Sequence, residues 1–425
     1  MESETPELTA GQEYERALMT CVHCGLCLNA CPTYLETGSE ADSPRGRIVL
    51  MGAMYRGEID PGAADFRKHI DRCLGCRACE VACPSAVPYG DLVDVARHVI
   101  NESRGTVQRN VRVALLDSLT NPAKMRISAA ASRLTGGVPR QALRLLAGDP
   151  DGVGDKPMPA PRVSDAPPLP AIIPAIGQRR ARVGMLTGCV MRVMYGDVNQ
   201  DTAAVLAANG CEVLVNQKQG CCGALHLHNG FDERGEALAR QLIDAFTPFD
   251  GLDAIIINSA GCGSSMKAYG SMLAGDPKYA ARAAAFSAKI KDITEFLDEL
   301  GMTAPMKPID MLATYHDACH LAQAQRITSA PRRVLEAVPG LSLVPLDESE
   351  VCCGSAGIYN LTEPALARGL QARKVANIVA TGATTVITGN PGCMAWIEAG
   401  LKDANIRVAH PVTILREALV APVNL

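Results

Sequence analysis

Aromatic residues are scarce, with one Trp and six Phe in 425 residues. That excludes the stacked aromatic platform on which proteins hold single-stranded nucleic acid. An excess of positive charge is also absent: 41 Lys and Arg face 45 Asp and Glu, for a net charge of −4. A nucleic-acid-binding face is basic, so no nucleic-acid partner is expected. No apolar run reaches the roughly 18–20 residues of a membrane helix. The opening segment, MESETPELTAGQEYE, is acidic and polar, unlike a signal peptide. The expectation is a cytoplasmic protein, with any membrane association peripheral and made through a complex. No G-x-G-x-x-G follows a strand, so no flavin is expected on this chain. Neither a Ser-His-Asp set nor a paired-carboxylate site can be argued, so no catalytic residue is named.

What the chain has in abundance is cysteine, 17 in all. The composition is that of a folded protein, 48% hydrophobic and 20% charged. At roughly 100–200 residues per domain, the length suggests two to four domains. The cytosol keeps thiols reduced, so the cysteines point to metal ligation or redox chemistry rather than a disulfide scaffold. They sort into two sets of eight, with Cys211 left over. Between the sets, 148–178 is rich in Pro and Gly and reads as an extended linker. The expected division is 1–147, the linker 148–178, and two further units, 179–305 and 306–425.

The first set is Cys21, Cys24, Cys27 and Cys31, then Cys73, Cys76, Cys79 and Cys83. Each run has the spacing C-x2-C-x2-C-x3-C-P by which thiolates hold [4Fe–4S] cubanes. Two-residue gaps let three sulfurs converge on one cube from a tight loop, whose amides help offset the negative charge. In two-cluster ferredoxins the fourth Cys of each run ligates the other cube. The implied sets are Cys21, Cys24, Cys27 and Cys83 for one cluster, and Cys31, Cys73, Cys76 and Cys79 for the second. Zinc prefers two C-x2-C pairs, so a doubled run ending in Pro favours iron–sulfur.

The long gap between the runs has helical spacing in IVLMGAMYR and again in AADFRKHIDR. Ser43 or Asp42 is placed to cap the first of these helices, with Pro44 in its first turn. Arg45 and Arg47 belong either beside a cluster or to a solvated helix start. DLVDVARHVINES and VQRNVRVALLDSL, further on, carry apolar residues three and four apart and read as packing helices. The gap resembles the α-helical ferredoxin module of fumarate reductase and heterodisulfide reductase subunits.

The second set forms an internal repeat. Cys189, Cys221, Cys222 and Cys262 recur as Cys319, Cys352, Cys353 and Cys393 at offsets of about 130 residues. Both copies contain Cys-Cys-Gly, and an apolar strand precedes the last cysteine of each. Strands and helices alternate, as in ARVGMLTGC, DTAAVLAANG and CEVLV. That predicts parallel α/β layers with function at the carboxyl ends of the strands. These eight cysteines are candidate metal ligands. Three readings stay open: a cluster in each half, one cluster in one half or between halves, or zinc or free thiols. His226, His228, His316 and His320 lie near the cysteines in sequence, as substitute ligands, proton donors or ordinary turn residues.

The pattern is similar to the cysteine-rich CCG domain of heterodisulfide reductase and its relatives. In heterodisulfide reductase the motif ends in C-x2-C, with five Cys on a noncubane cluster. Here Ser265 and Trp396 stand where that last cysteine would be. The whole order, an α-helical ferredoxin domain followed by an α/β duplicated cysteine-rich (CCG) domain, most resembles the iron–sulfur subunits of glycolate oxidase. CVHCGLCLNACPTY, CLGCRACEVACPS, QGCCGALHLHNG and NSAGCGSSMKAYG carry the likeness. It implies FAD-containing partner subunits that oxidise glycolate, electron transfer through this chain, and a quinone or membrane acceptor. The equivalent subunits of lactate or anaerobic glycerol-3-phosphate dehydrogenases, and a heterodisulfide reductase-like enzyme, are the alternatives.

Overall fold

The computed structural model describes residues 10–134, 162–421 and 423. The N-terminal unit is helical: α1 (Ala10–Met19), α2 (Pro32–Thr37), α3 (Pro44–Tyr55), α4 (Ala64–Asp71), α5 (Ala78–Val81), α6 (Tyr89–Ser103), α7 (Thr106–Thr120) and α8 (Pro122–Leu134). Ser43 caps α3, its hydroxyl accepting from the Gly46 amide at 3.0 Å, with Pro44 in the first turn. Met51, Phe66, Ile70, Leu92, Ala96 and Ile100 form the core between α3, α4 and α6. Both cysteine runs wrap its rim.

The rest is two α/β halves. The first contains β1 (Ile172–Ile173), β2 (Ala181–Met185), α9 (Val190–Met194), α10 (Gly196–Ala208), β3 (Cys211–Leu214), α11 (Ala224–Leu227), α12 (Asp232–Phe246), β4 (Ala254–Ile257), α13 (Ala260–Lys267), α14 (Tyr269–Met272), α15 (Ala280–Ser287), β5 (Ile290–Asp292) and α16 (Ile293–Leu300). The second contains β6 (Met311–Tyr315), a π-turn (His320–Ala324), α17 (Ala330–Glu336), β7 (Leu341–Val344), α18 (Tyr359–Thr362), α19 (Pro364–Ala380), β8 (Thr385–Ile387), α20 (Pro391–Gly400), β9 (Arg407–Ala409) and α21 (Pro411–Ala418).

The sheets run in the order β1-β3-β2-β4-β5 and β7-β6-β8-β9. Without β1 the orders correspond strand for strand, and every pairing is parallel. Register repeats as well: Val183 pairs with Ala254, and Ala313 with Thr385. Parallel strands covered on both faces read as continuous apolar runs, as Ile255–Ile256–Ile257 does. The halves share a core, in which Val198 and Val205 of α10 meet Val412 and Leu415 of α21.

Two departures from sequence expectation stand out. Within the Pro/Gly-rich stretch, 148–161 lies outside the described residues, but the part after it packs on the first half. Ile172 and Ile173 pair antiparallel with Leu214 and Val213, and Leu169 is buried beneath them. Pro-rich backbone can still add an edge strand where its few free amides face a partner. The second departure is α8, whose buried Met125 joins the core of the first half.

Candidate iron–sulfur sites and the cavity between the cysteine-rich halves

The two N-terminal loops share an unusual backbone. His23 and Gly25 in the first, and Gly75 and Arg77 in the second, have positive φ at matching positions. Alternating handedness turns successive amides to one side and forms an anion-holding nest. One such amide, Gly75 N–H, points at Cys73 Sγ at 3.4 Å.

Cys21, Cys24, Cys27 and Cys83 line one hollow together with Cys79, walled by Pro44, Arg45 and Ile48. Cys24 is exposed and its three companions half-buried. Cys31, Cys73, Cys76 and Cys79 are buried and form a second group, each close enough for its charge to act on another's sulfur. Burial pushes the Cys76 and Cys79 thiols well up, and neighbouring cysteines add to this. Such thiols ionise when a cation holds them. The first hollow thus draws cysteines from both runs, and the two groups adjoin. The donor set, two adjoining groups of cysteine sulfurs with the Gly75 amide aimed at Cys73, fits [4Fe–4S] clusters.

The arginines of DSPRGRI flank these groups. Arg45 bonds the His23 carbonyl at 3.1 Å and pairs with Glu40 at 2.7 Å, fixing the first loop. Arg47 is buried and donates to the His69 carbonyl (2.7 Å) and Thr33 Oγ1 (3.1 Å). Its charge lies within reach of Cys31 and Cys73.

The second eight cysteines gather at the carboxyl ends of the two sheets. Cys189 Sγ is 3.5 Å from Cys221 Sγ. Cys222 is in hydrogen-bonding contact with Cys221 and with Cys262. The second half repeats the file: Cys319 with Cys352, Cys352 with Cys353, Cys353 with Cys393. Cys262 and Cys393 sit in the first turns of α13 and α20, where the helix dipole favours a thiolate. The preceding residue pair matches too, with Ser259 bonded to Cys262 and Asn390 Nδ2 donating to Cys393 Sγ at 3.4 Å. Thiol contacts with Cys189 and Cys222 respectively are the leading causes that raise Cys221 and Cys262.

The glycine of each Cys-Cys-Gly has a physical reason. Gly223 and Gly354 have φ of +80° and +89°. A Cβ there would come within 2.6 Å of the Gly235 carbonyl and 2.7 Å of the Ala367 carbonyl. Only glycine lets the cysteine pair turn back onto the following long helix.

All eight cysteines line one cavity of about 880 Å³ between the halves and the helical unit. His228 and His320 face each other across it, edge to face, 4.8 Å between ring centroids. Burial lowers both imidazoles, His320 to about 4, so both are neutral. His226 turns away and bonds Asp117 at 3.1 Å. His316 is buried at the end of β6, with Cys353 and Cys393 as neighbours. Ser265 hydroxyl is 3.4 Å from His228 Nε2, and Trp396 lines the cavity wall. Cys211 is a core residue of β3, its thiol pushed up to about 11 by burial.

The helical unit meets the cavity through its second cysteine group. Cys76 packs with Cys352, Cys353 and Cys393 in one apolar cluster, Cys319 against it. His320 Nε2 lies 3.2 Å from the Gly75 carbonyl, and Arg97 bridges the Cys73 and His228 carbonyls. Contacts between distant segments such as Arg97–His228, and the buried Lys374 near Cys352, carried no sequence signal.

These features define a class, an iron–sulfur protein joining a dicluster unit to a doubled cysteine-rich domain. Residues 17–87 match the family model of the 4Fe-4S dicluster domain, and 183–267 and 313–398 that of the cysteine-rich CCG domain. The chain is 36% identical to the probable glycolate oxidase iron-sulfur subunit of Bacillus subtilis, over 95% of this chain and 94% of that one. It is 35% identical to the glycolate oxidase iron-sulfur subunit of Escherichia coli, over 96% and 95%. The chain belongs to the family of glycolate oxidase iron–sulfur subunits. The fold also matches a crystal structure of a hypothetical protein from Helicobacter pylori, with a TM-score of 0.60 at 10% identity, covering 98% of this chain and 74% of that one.

Proposed function

We propose that this chain is the electron-transfer iron–sulfur subunit of a flavin-dependent glycolate oxidase complex. FAD-containing subunits oxidise glycolate to glyoxylate, and electrons pass through this chain toward a quinone. Cys21, Cys24, Cys27 and Cys83 hold one [4Fe–4S] cluster, and Cys31, Cys73, Cys76 and Cys79 the second. Each file of four cysteines in the CCG halves is the ligand set for a further centre. Bound clusters supply one-electron carriers, which let a two-electron flavin be emptied in single steps. The protein's residues position them, exclude water and set the surrounding charge.

The observation that carries this reading is the continuity of sulfur sites from the surface inward. The first group includes exposed Cys24, framed by exposed Val22 and Leu26. The second is buried behind it, and its Cys76 adjoins Cys319 and Cys352. The neutral His228 and His320 lie where a quinone headgroup entering the cavity would meet hydrogen-bonding groups. Among the described residues no helix is long and apolar enough to cross a membrane. That is consistent with a cytoplasmic chain that reaches the inner face of the membrane through its complex.

The test is an anaerobic preparation of the chain with its flavin partners. Iron, sulfide and EPR signals are measured before and after adding glycolate, lactate or glycerol-3-phosphate. About eight irons mark the two cubes alone, and more mark CCG centres. Glycolate is expected to reduce the clusters. Reduction by another donor, with glycolate inert, would overturn the substrate assignment.

A further inference from the structure

The two halves match in strand order, cysteine file and helix start, but differ at one buried position beside the metal-ligand candidates. The residue after β2 is Leu186 and the residue after β6 is His316. Their backbones are equivalent: Leu186 N–H donates to the Ile256 carbonyl at 3.0 Å, and His316 N–H to the Ile387 carbonyl at 2.9 Å. Leu186 is packed in an apolar cluster with Cys189, Cys221 and Cys222. His316 is wholly buried, yet neither ring nitrogen has a hydrogen-bond partner. An orphaned buried imidazole is destabilising unless something binds it.

What surrounds it is a ligand set. A ring nitrogen of His316 and the sulfurs of Cys353 and Cys393 all lie within 4.8 Å of one another. Among the described residues no other such trio of His, Cys, Asp or Glu atoms is brought together. Lys374 is buried nearby, its ammonium donating to the Glu348 carbonyl and close enough to Cys353, Cys352 and His316 for their charges to interact. The matching stretch of the first half carries buried Leu242 and Ile243.

We propose that His316 is a nitrogen ligand to the metal centre of the second half, alongside Cys353 and Cys393, whereas the first half binds through sulfur alone. This rests on the reading that the CCG halves hold metal. The centre His316 would serve is the one that adjoins Cys76.

The full-length chain, purified anaerobically, tests this. Metal content and pulsed EPR of the reduced protein are compared for wild type, wild type carrying 15N-histidine, His316→Ala and His316→Cys. A strong 14N coupling of a directly bound imidazole is expected, replaced by 15N in the labelled protein. His316→Ala should lose the second-half metal. His316→Cys, which keeps a ligand, should retain the metal and lose the coupling. Zinc would show in the metal analysis, and its X-ray absorption would then be read for the same nitrogen. Weak coupling only, or full metal and unchanged spectra in His316→Ala, overturns the proposal while leaving the relay intact. Iron that never exceeds the two cubes, with no zinc, overturns both this proposal and the CCG part of the relay, though glycolate would still reduce the cubes.

Discussion

The first and second cysteine-rich halves share sheet order, register and cysteine file, yet their surroundings differ. The second lies against the dicluster unit through Cys76 and His320 and carries His316 and Lys374 near its sulfurs. The first has leucine and isoleucine at the matching places and faces the same cavity with His228. A duplicated frame thus keeps the backbone that presents cysteines, while single side chains and one neighbouring domain make the copies unequal. Backbone geometry is costly to change in one copy alone, because the Cys-Cys-Gly turn admits only glycine. A buried side chain beside it is far easier to exchange.

The largest expected effect comes from Cys76→Ser, which removes the sulfur next to the second half. About four irons should be lost, and glycolate-driven electron transfer should fall by at least about 10–100-fold. Iron analysis and stopped-flow reduction check this. The comparison is tested more sharply by Cys352→Ser against Cys221→Ser. Glycolate-driven electron transfer should drop about tenfold further in the former, because it is the second half's cysteine file that adjoins Cys76 of the dicluster unit. Equal losses would break the asymmetry.

Gly354→Ala and Gly223→Ala should each cost about 1–3 kcal/mol, since both force a left-handed alanine against a carbonyl. Here the halves should behave alike in thermal denaturation. A difference would mean that the turns are less equivalent than their φ values indicate.

The smallest effect concerns His410, which joins the halves. Its Nδ1 accepts from the Val412 amide at 3.2 Å, capping α21, and its Nε2 donates to the Asn258 carbonyl of the first half at 3.1 Å. The Nδ1 bond needs the neutral ring, and burial holds its pKa down at about 3. The unfolded value is about 6.5. The unfolded chain therefore binds the extra proton first, and stability is lost progressively as pH falls from about 6.5 toward 3. His410→Gln should flatten this part of the melting-temperature profile. An unchanged slope between wild type and variant would sink the assignment.

Much of this was legible in the residues. The C-x2-C-x2-C-x3-C-P runs stood out through their short, fixed spacings, and the Cys-Cys-Gly motifs through their duplication. Helices 91–103 and 107–119 and the strands before Cys262 and Cys393 showed through apolar periodicity. The pairing of β1 and the docking of α8 did not, because each depends on a distant surface with no local pattern. His226, His228, His316 and His320 looked interchangeable in sequence, yet the fold sends them to a hydrogen bond with Asp117, the cavity, a cysteine trio and the domain interface.

The sequence alone determined the number and type of sulfur groups and the duplicated α/β plan, because both are encoded in spacing along the chain. Only the tertiary structure decided which groups stand next to one another: Cys76 against Cys319 and Cys352, and His316 with Cys353 and Cys393. Those neighbours are separated by tens to hundreds of residues, and folding, not spacing, closes that distance.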